Sequence, residues 1–259
     1  AARHFEGRNT VTQAIPATLA AIQAPVRARL AEVRSELRRI VEADFGLIAE
    51  VNAHLLQMQG KMLRPTLLLL ADEATGAPDP RAATLGAVVE LIHLATLVHD
   101  DSVDHSVRRR GMPTINALFS HQVSVIMGDY LYSRAVIELV RLADLEPLRI
   151  LGRVTNEMTV GEMRQLLAHD RLAFSEEQYD LLIMARAASL LAGAGETGAI
   201  RAPAEQRQAM REFGLRLGMA FQIVDDLLDY TGDATITGKP VGADLRDRTE
   251  RRPGIYISE

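Results

Sequence analysis

Apolar positions recur every three to four residues along almost the whole chain, which is the spacing of a helical face. Val26, Leu30, Val33, Leu37 and Ile40 form one such row behind Pro25, a residue that suits a first helical turn, so a helix is expected over 25–44. Further helices are expected over 46–59, stopped by Gly60, and over 64–74, ended by Gly76. Another should run from the cap Asp79-Pro80 to about His105. Beyond the turn-rich Arg110-Gly111-Met112-Pro113, the pattern predicts helices over 123–142, 145–169, 175–198 and 203–231, with Ser175 and Gln178 spaced as a capping box. Period-two alternation is absent, so no strand is expected. Several of these segments are apolar around most of their circumference, as helices at the centre of a bundle must be. The reading is one all-α domain over 1–259, without linker or repeat.

Composition narrows this picture. At 259 residues and 47% hydrophobic content the chain can bury a proper core without staples. With 6 Phe, 5 Tyr and no Trp, it has the profile of a helical rather than a sheet protein. The absence of Cys excludes disulfides and thiolate-bound metal. A net charge of −5 argues against a nucleic-acid partner, which needs clustered excess base. With no leader pattern and no uninterrupted apolar run of membrane-spanning length, a soluble, cytoplasmic protein is expected, with no transmembrane segment.

The placement of the acids is more telling than their number. Asp100, Asp101 and Asp104 stand at i, i+1 and i+4, and Asp225, Asp226 and Asp229 repeat the spacing. On a helix, i and i+4 share a face with i+1 beside them. A single acidic helix end is often merely solvated. Two copies of Asp-Asp-x-x-Asp, each closing an apolar run, are harder to dismiss, because three carboxylates on one face repel unless a cation neutralises them. Hard oxygen donors select Mg²⁺, which keeps several waters and shares its shell with substrate phosphates. Bases stand nearby in sequence: Lys61 and Arg64 at a helix start, Arg108-Arg109-Arg110-Gly111 after the first cluster, and Lys239 after the second. Together they suggest two diphosphate sites, one bridged by metal and one bound directly by cations.

From about Gly60 to Leu245 the chain resembles the trans-isoprenyl diphosphate synthases. The resemblance lies in Glu90 to Asp104 with Arg109-Arg110-Gly111, in Gly128-Asp129-Tyr130, in Gly161-Glu162 with Gln165, and in Phe221-Gln222 through Asp229. It implies helices packed around a central cavity, the isoprenoid synthase type I fold, in a homodimer. It implies condensation of an allylic diphosphate with isopentenyl diphosphate, head to tail, releasing pyrophosphate. Mg²⁺, three ions per active site, would be held by Asp100, Asp104 and Asp225, with Asp101, Asp226 and Asp229 close by. Lys61, Arg64, His93 and Arg110 would hold isopentenyl diphosphate, while Arg109, Arg186 and Lys239 would serve the allylic diphosphate and Gln222 would lie near the reacting chain. His93 precedes Asp100 by two helical turns and so faces roughly the same way. His54, His105, His121 and His169 are given no role. Ala95 and Thr96, the small residues five and four before Asp100, and Asn116 resemble the medium- and long-chain enzymes, implying a product of about C25 or longer.

Two departures stand out. Seven residues after Tyr179 the family's Lys-Thr is Arg186-Ala187, and after Asp244-Leu245 its acidic Gly-Lys segment has no clear equivalent in Arg246 to Pro253. They keep open a non-catalytic subunit of a heteromeric synthase. A class I terpene cyclase also shares one Asp-Asp-x-x-Asp, although it would have no use for a second diphosphate site. A di-iron bundle is set aside, because Glu90-x-x-His93 occurs once and that architecture needs two such motifs.

Overall fold

The computed structural model describes residues 18–58, 60–168 and 175–231. It consists of α1 (Leu19–Gln23), a 3₁₀ turn at Ala24–Val26, α2 (Arg27–Val41), α3 (Gly46–Gln57), α4 (Leu63–Ala74) and α5 (Ala82–Val103). A hairpin of β1 (Arg108–Arg109) and β2 (Met112–Pro113) follows. The remaining helices are α6 (Ile115–Leu118), α7 (His121–Arg141), α8 (Leu145–Ala168), α9 (Glu176–Ile183), α10 (Ser189–Gly198) and α11 (Ala204–Thr231). Helix α5 is the axis: α2, α4 and α7 pack along it, while α10 bridges α4, α8 and α11. Leu85, Val88, Val89, Leu91 and Ile92 of α5 are buried almost completely, each such side chain stabilising the fold by about 1.5–3 kcal/mol. This helix is long and apolar enough to cross a membrane, yet 67% of its most apolar stretch is buried within the protein. It is the core helix of the bundle.

The all-α reading holds, with four corrections. The first helix is shorter and jointed: Pro25 has no N–H to donate, a 3₁₀ turn forms around it, and α2 ends at Val41 rather than at 44. A short strand pair, not merely a turn, occupies Arg108–Pro113, with Arg109 opposite Met112. Arg110 (φ 51) and Gly111 (φ 79) are its two loop residues. Two positive φ values in a two-residue loop suit the right-handed twist of a hairpin, and Gly111 meets that demand without steric cost. Helix α6 was not foreseen; its Asn116 Nδ2 donates to the Ser106 carbonyl at 2.9 Å, fixing the loop between α5 and the hairpin. Finally, the segment expected as one helix over 175–198 is broken by a π turn at Met184–Ala188. The capping box at Ser175 and Gln178 is formed.

Candidate active site

Helix α5 ends where its apolar face runs out, and there the first cluster divides its labour. Asp101 turns inward, 4% exposed, and takes both Nε (2.8 and 2.9 Å) and Nη2 (2.8 Å) of Arg109. This charge-assisted fork fixes the hairpin against the helix. His54 adds a second tie, its Nε2–H donating to the Pro113 carbonyl at 2.8 Å. Asp100 is half-buried, and burial pushes its carboxyl above the ordinary range, reinforced by Asp104 and Asp101 and opposed by Arg186 and Arg109. Asp104 is exposed and has no ion-pair partner among the described residues.

On α11 the second cluster shows the same division. Asp226 is 1% exposed; it accepts from the Tyr179 hydroxyl and, at 2.8 Å, from Gln222 Nε2. Asp225 is exposed and has no ion-pair partner among the described residues. For Asp229 only the backbone is described, and Lys239, His169 and the 246–253 segment lie outside the described residues.

Between the clusters stands the interrupted helix 176–198. Arg186 sits in its π turn, a device common where a helix must aim a side chain at a site. Arg186 Nε pairs with Glu162, Nη1 donates to Gln165, and Nη2 reaches Asp100 Oδ2 at 3.5 Å. Tyr179, seven residues earlier, holds Asp226. One helix therefore touches both aspartate clusters. Burial holds the Glu162 carboxyl up at about 7, with Asp100 and Asp104 adding to the effect and Arg186 opposing it. Tyr179 and Glu162 were expected only as landmarks; the interval of two turns from Tyr179 to Arg186 was the readable signal for the former.

The other cations gather across α5. Met62 takes a left-handed conformation (φ 53) and starts α4, placing exposed Lys61 at the helix start and Arg64 in its first turn. Arg110 Nη1 donates to the Met58 carbonyl at 2.7 Å, its guanidinium lying so close over Gly60 that a Cβ there would come within 2.7 Å of Nη1. His93 faces this group. Burial, then the fields of Arg64, Arg110 and Arg109, hold its imidazole well below the usual range, so it is neutral at physiological pH. Ala95 is buried in the core and Thr96 is half-buried, its hydroxyl donating to the His93 carbonyl at 2.8 Å. His99 donates from Nε2 to the Val125 carbonyl at 3.1 Å, and His105 and His121 stand edge to face at the end of α5.

Among the described residues no three acidic or imidazole groups form a ready-made metal cluster. The donor set still fits magnesium: it is all carboxylate oxygen, Asp104 and Asp225 have no ion-pair partner among the described residues, and Asp100 is held only by the 3.5 Å contact with Arg186. A cation that keeps its waters and is completed by substrate oxygens needs no preformed cage.

A polyprenyl synthetase family model matches residues 46–257. The octaprenyl diphosphate synthase of Escherichia coli is 36% identical over 229 residues, 88% of this chain and 71% of that protein. The geranyl-diphosphate-specific all-trans-nonaprenyl-diphosphate synthase of Rhodobacter capsulatus is 39% identical over 236 residues, 90% and 73% of the two chains. Among solved structures, a Caulobacter crescentus polyprenyl synthase complexed with calcium and isoprenyl diphosphate superposes with a TM-score of 0.90 at 34% identity, covering 95% of this chain and 75% of that one.

Proposed function

We propose, from the premise that this chain belongs to the polyprenyl synthetase family, that the two aspartate clusters and the cations around α5 form one prenyl-elongating active site. The enzyme is a prenyltransferase that lengthens an allylic diphosphate with isopentenyl diphosphate. The observation that carries the site assignment is the π-interrupted helical segment 176–198, which reaches Asp100 through Arg186 and Asp226 through Tyr179.

In this reading Asp100, Asp104 and Asp225 hold three magnesium ions, and Asp101, Asp226 and Asp229 serve the same faces. Bound Mg²⁺ supplies charge neutralisation for a departing pyrophosphate. Asp101 and Asp226 act chiefly by orientation, each fixed by a partner within the fold. Arg109, Arg186 and Lys239 serve the allylic diphosphate, and Gln222, held against Asp226, lies beside the reacting chain. Lys61, Arg64, Arg110 and neutral His93 bind isopentenyl diphosphate without metal, His93 donating a hydrogen bond rather than a charge. The allylic carbon–oxygen bond breaks with its electron pair leaving on pyrophosphate. The double bond of isopentenyl diphosphate then attacks the allylic cation, and a proton is lost. Fixed donors aimed at the leaving group lower this barrier.

The product is all-trans and of C25 or longer, supported by small Ala95 and Thr96 where the growing tail would pass. The enzyme works as a cytoplasmic homodimer, supported by the exposed apolar residues Ile126, Ile137 and Val140 of α7 and Val103 at the end of α5. The test is to incubate the chain with isopentenyl diphosphate, geranyl, farnesyl or geranylgeranyl diphosphate and Mg²⁺, then chromatograph the products. Elongated prenyl diphosphates and released pyrophosphate are expected; none with any primer refutes the reading.

A further inference from the structure

Glu90 stands one helical turn before His93, in the middle of α5, and is 4% exposed. Its Oε2 is buried and finds no hydrogen-bond partner among the described residues, and the same holds for Nε of Arg64. An unpaired buried polar atom is costly, so two such atoms in one neighbourhood call for a common explanation. The two side chains feel each other's charge without forming an ion pair: burial lowers the Arg64 guanidinium while the field of Glu90 supports it and that of Arg110 opposes it, and burial raises the Glu90 carboxyl while Arg64 and Arg110 favour its charged form. Glu90 in turn lines a cavity of about 30 Å³ between α2, α3 and α5, with Gly60, Leu55 and Leu94 in its walls and Arg34 and Arg38 beside it. That is room for one or two waters, and a buried water needs polar partners of this kind.

We infer that Glu90 is a positioning residue for the isopentenyl diphosphate site: water held in this cavity satisfies its carboxylate, and its negative charge lets Arg64 and Arg110, the latter lying over Gly60 in the cavity wall, share one pocket. Two guanidinium groups converging on a diphosphate repel each other while the site is empty. A carboxylate behind them offsets that repulsion without occupying the substrate's place. The inference rests on the assignment of Arg64 and Arg110 to isopentenyl diphosphate, and it adds the group that holds them there.

Calorimetric titration of isopentenyl diphosphate into the full chain, alongside steady-state kinetics with both substrates, tests it. Glu90→Leu should raise the isopentenyl diphosphate Kd tenfold or more and its KM in parallel, with the allylic KM changed less than threefold. Glu90→Gln, which keeps the size but not the charge, should raise the Kd at least fivefold, while Glu90→Asp, which keeps the charge, should hold it within threefold of wild type. In an Arg64→Ala background, Glu90→Leu should add less than twofold, because the residue it positions is gone. An unchanged Kd in Glu90→Leu, or equal losses for both substrates, overturns the inference while leaving the proposed function standing. Failure of the wild-type chain to bind isopentenyl diphosphate overturns the site assignment itself, and the role of Glu90 with it.

Discussion

Arg186 Nη2 lies 3.5 Å from Asp100 Oδ2, with the rest of its guanidinium held by Glu162 and Gln165. The cation thus stands beside a carboxylate that the metal-bound state also requires. Removing it has two opposite effects: Mg²⁺ meets less repulsion at Asp100, and the allylic diphosphate loses a donor. Arg186→Gln should therefore lower the Mg²⁺ concentration for half-maximal rate about two- to fivefold, while lowering kcat/KM for the allylic substrate on the order of a hundredfold. A magnesium titration of the steady-state rate separates the two. Arg186→Lys should keep most of the rate but not the double hold on α8, since an ammonium lacks the planar fork.

Tyr179 and Asp226 make a second, more structural link. Tyr179→Phe leaves a carboxylate that is 1% exposed without its hydroxyl donor, at a cost of about 1–3 kcal/mol. Thermal unfolding should show a midpoint lower by several degrees. Because Gln222 loses the geometry of its acceptor too, kcat should fall more than either KM.

The pH dependence follows from Glu162. Its folded-state pKa of about 7 lies above the ordinary 4.5, so the fold holds the proton more tightly than the unfolded chain does. Stability from this group is greatest at low pH and is lost as pH rises through about 7. Asp100, also raised, acts in the same direction. Mg²⁺ at the neighbouring cluster favours the ionised carboxylates and removes that penalty. The gain in melting temperature on adding Mg²⁺ with pyrophosphate should thus be larger at pH 8 than at pH 6, by roughly 2–5 °C. Glu162→Gln should shrink the difference.

Ala95 and Thr96 should respond differently to enlargement. Thr96 is half-buried, so Thr96→Phe should shorten the product, as chain-length analysis by chromatography would show, with little loss of stability. Ala95 is 3% exposed within the core, and Ala95→Phe should cost about 1–3 kcal/mol through overpacking as well as shortening the product.

Helix existence was legible because burial imposes a period that residues such as Leu30, Val33 and Leu37 display directly. Boundaries and breaks were not, since the Pro25 joint and the π turn at Met184–Ala188 arise from packing against neighbours rather than from local preference. The aspartate clusters were legible as six like residues at repeated spacing. Which member faces inward was not, because Asp101 and Asp226 are chosen by Arg109 and Tyr179, partners 8 and 47 residues away. Glu90 shows the same limit: its spacing suggested a ligand motif, whereas its burial beside Arg64 suggests an electrostatic support.

The hairpin at Arg108–Pro113 turns three identical residues into three different ones. Arg108 is exposed, Arg109 grips Asp101, and Arg110, in the turn, folds over Gly60. Chemistry alone cannot tell these side chains apart; only their count from Asp104 does. Inserting one residue before Arg108 would still leave arginines at the gripping and turn places, but it would push Arg110 into the place of Gly111, where φ is 79, so the hairpin would fail while composition and charge stayed almost untouched. The hairpin should tolerate Arg108→Ala far better than a change of length.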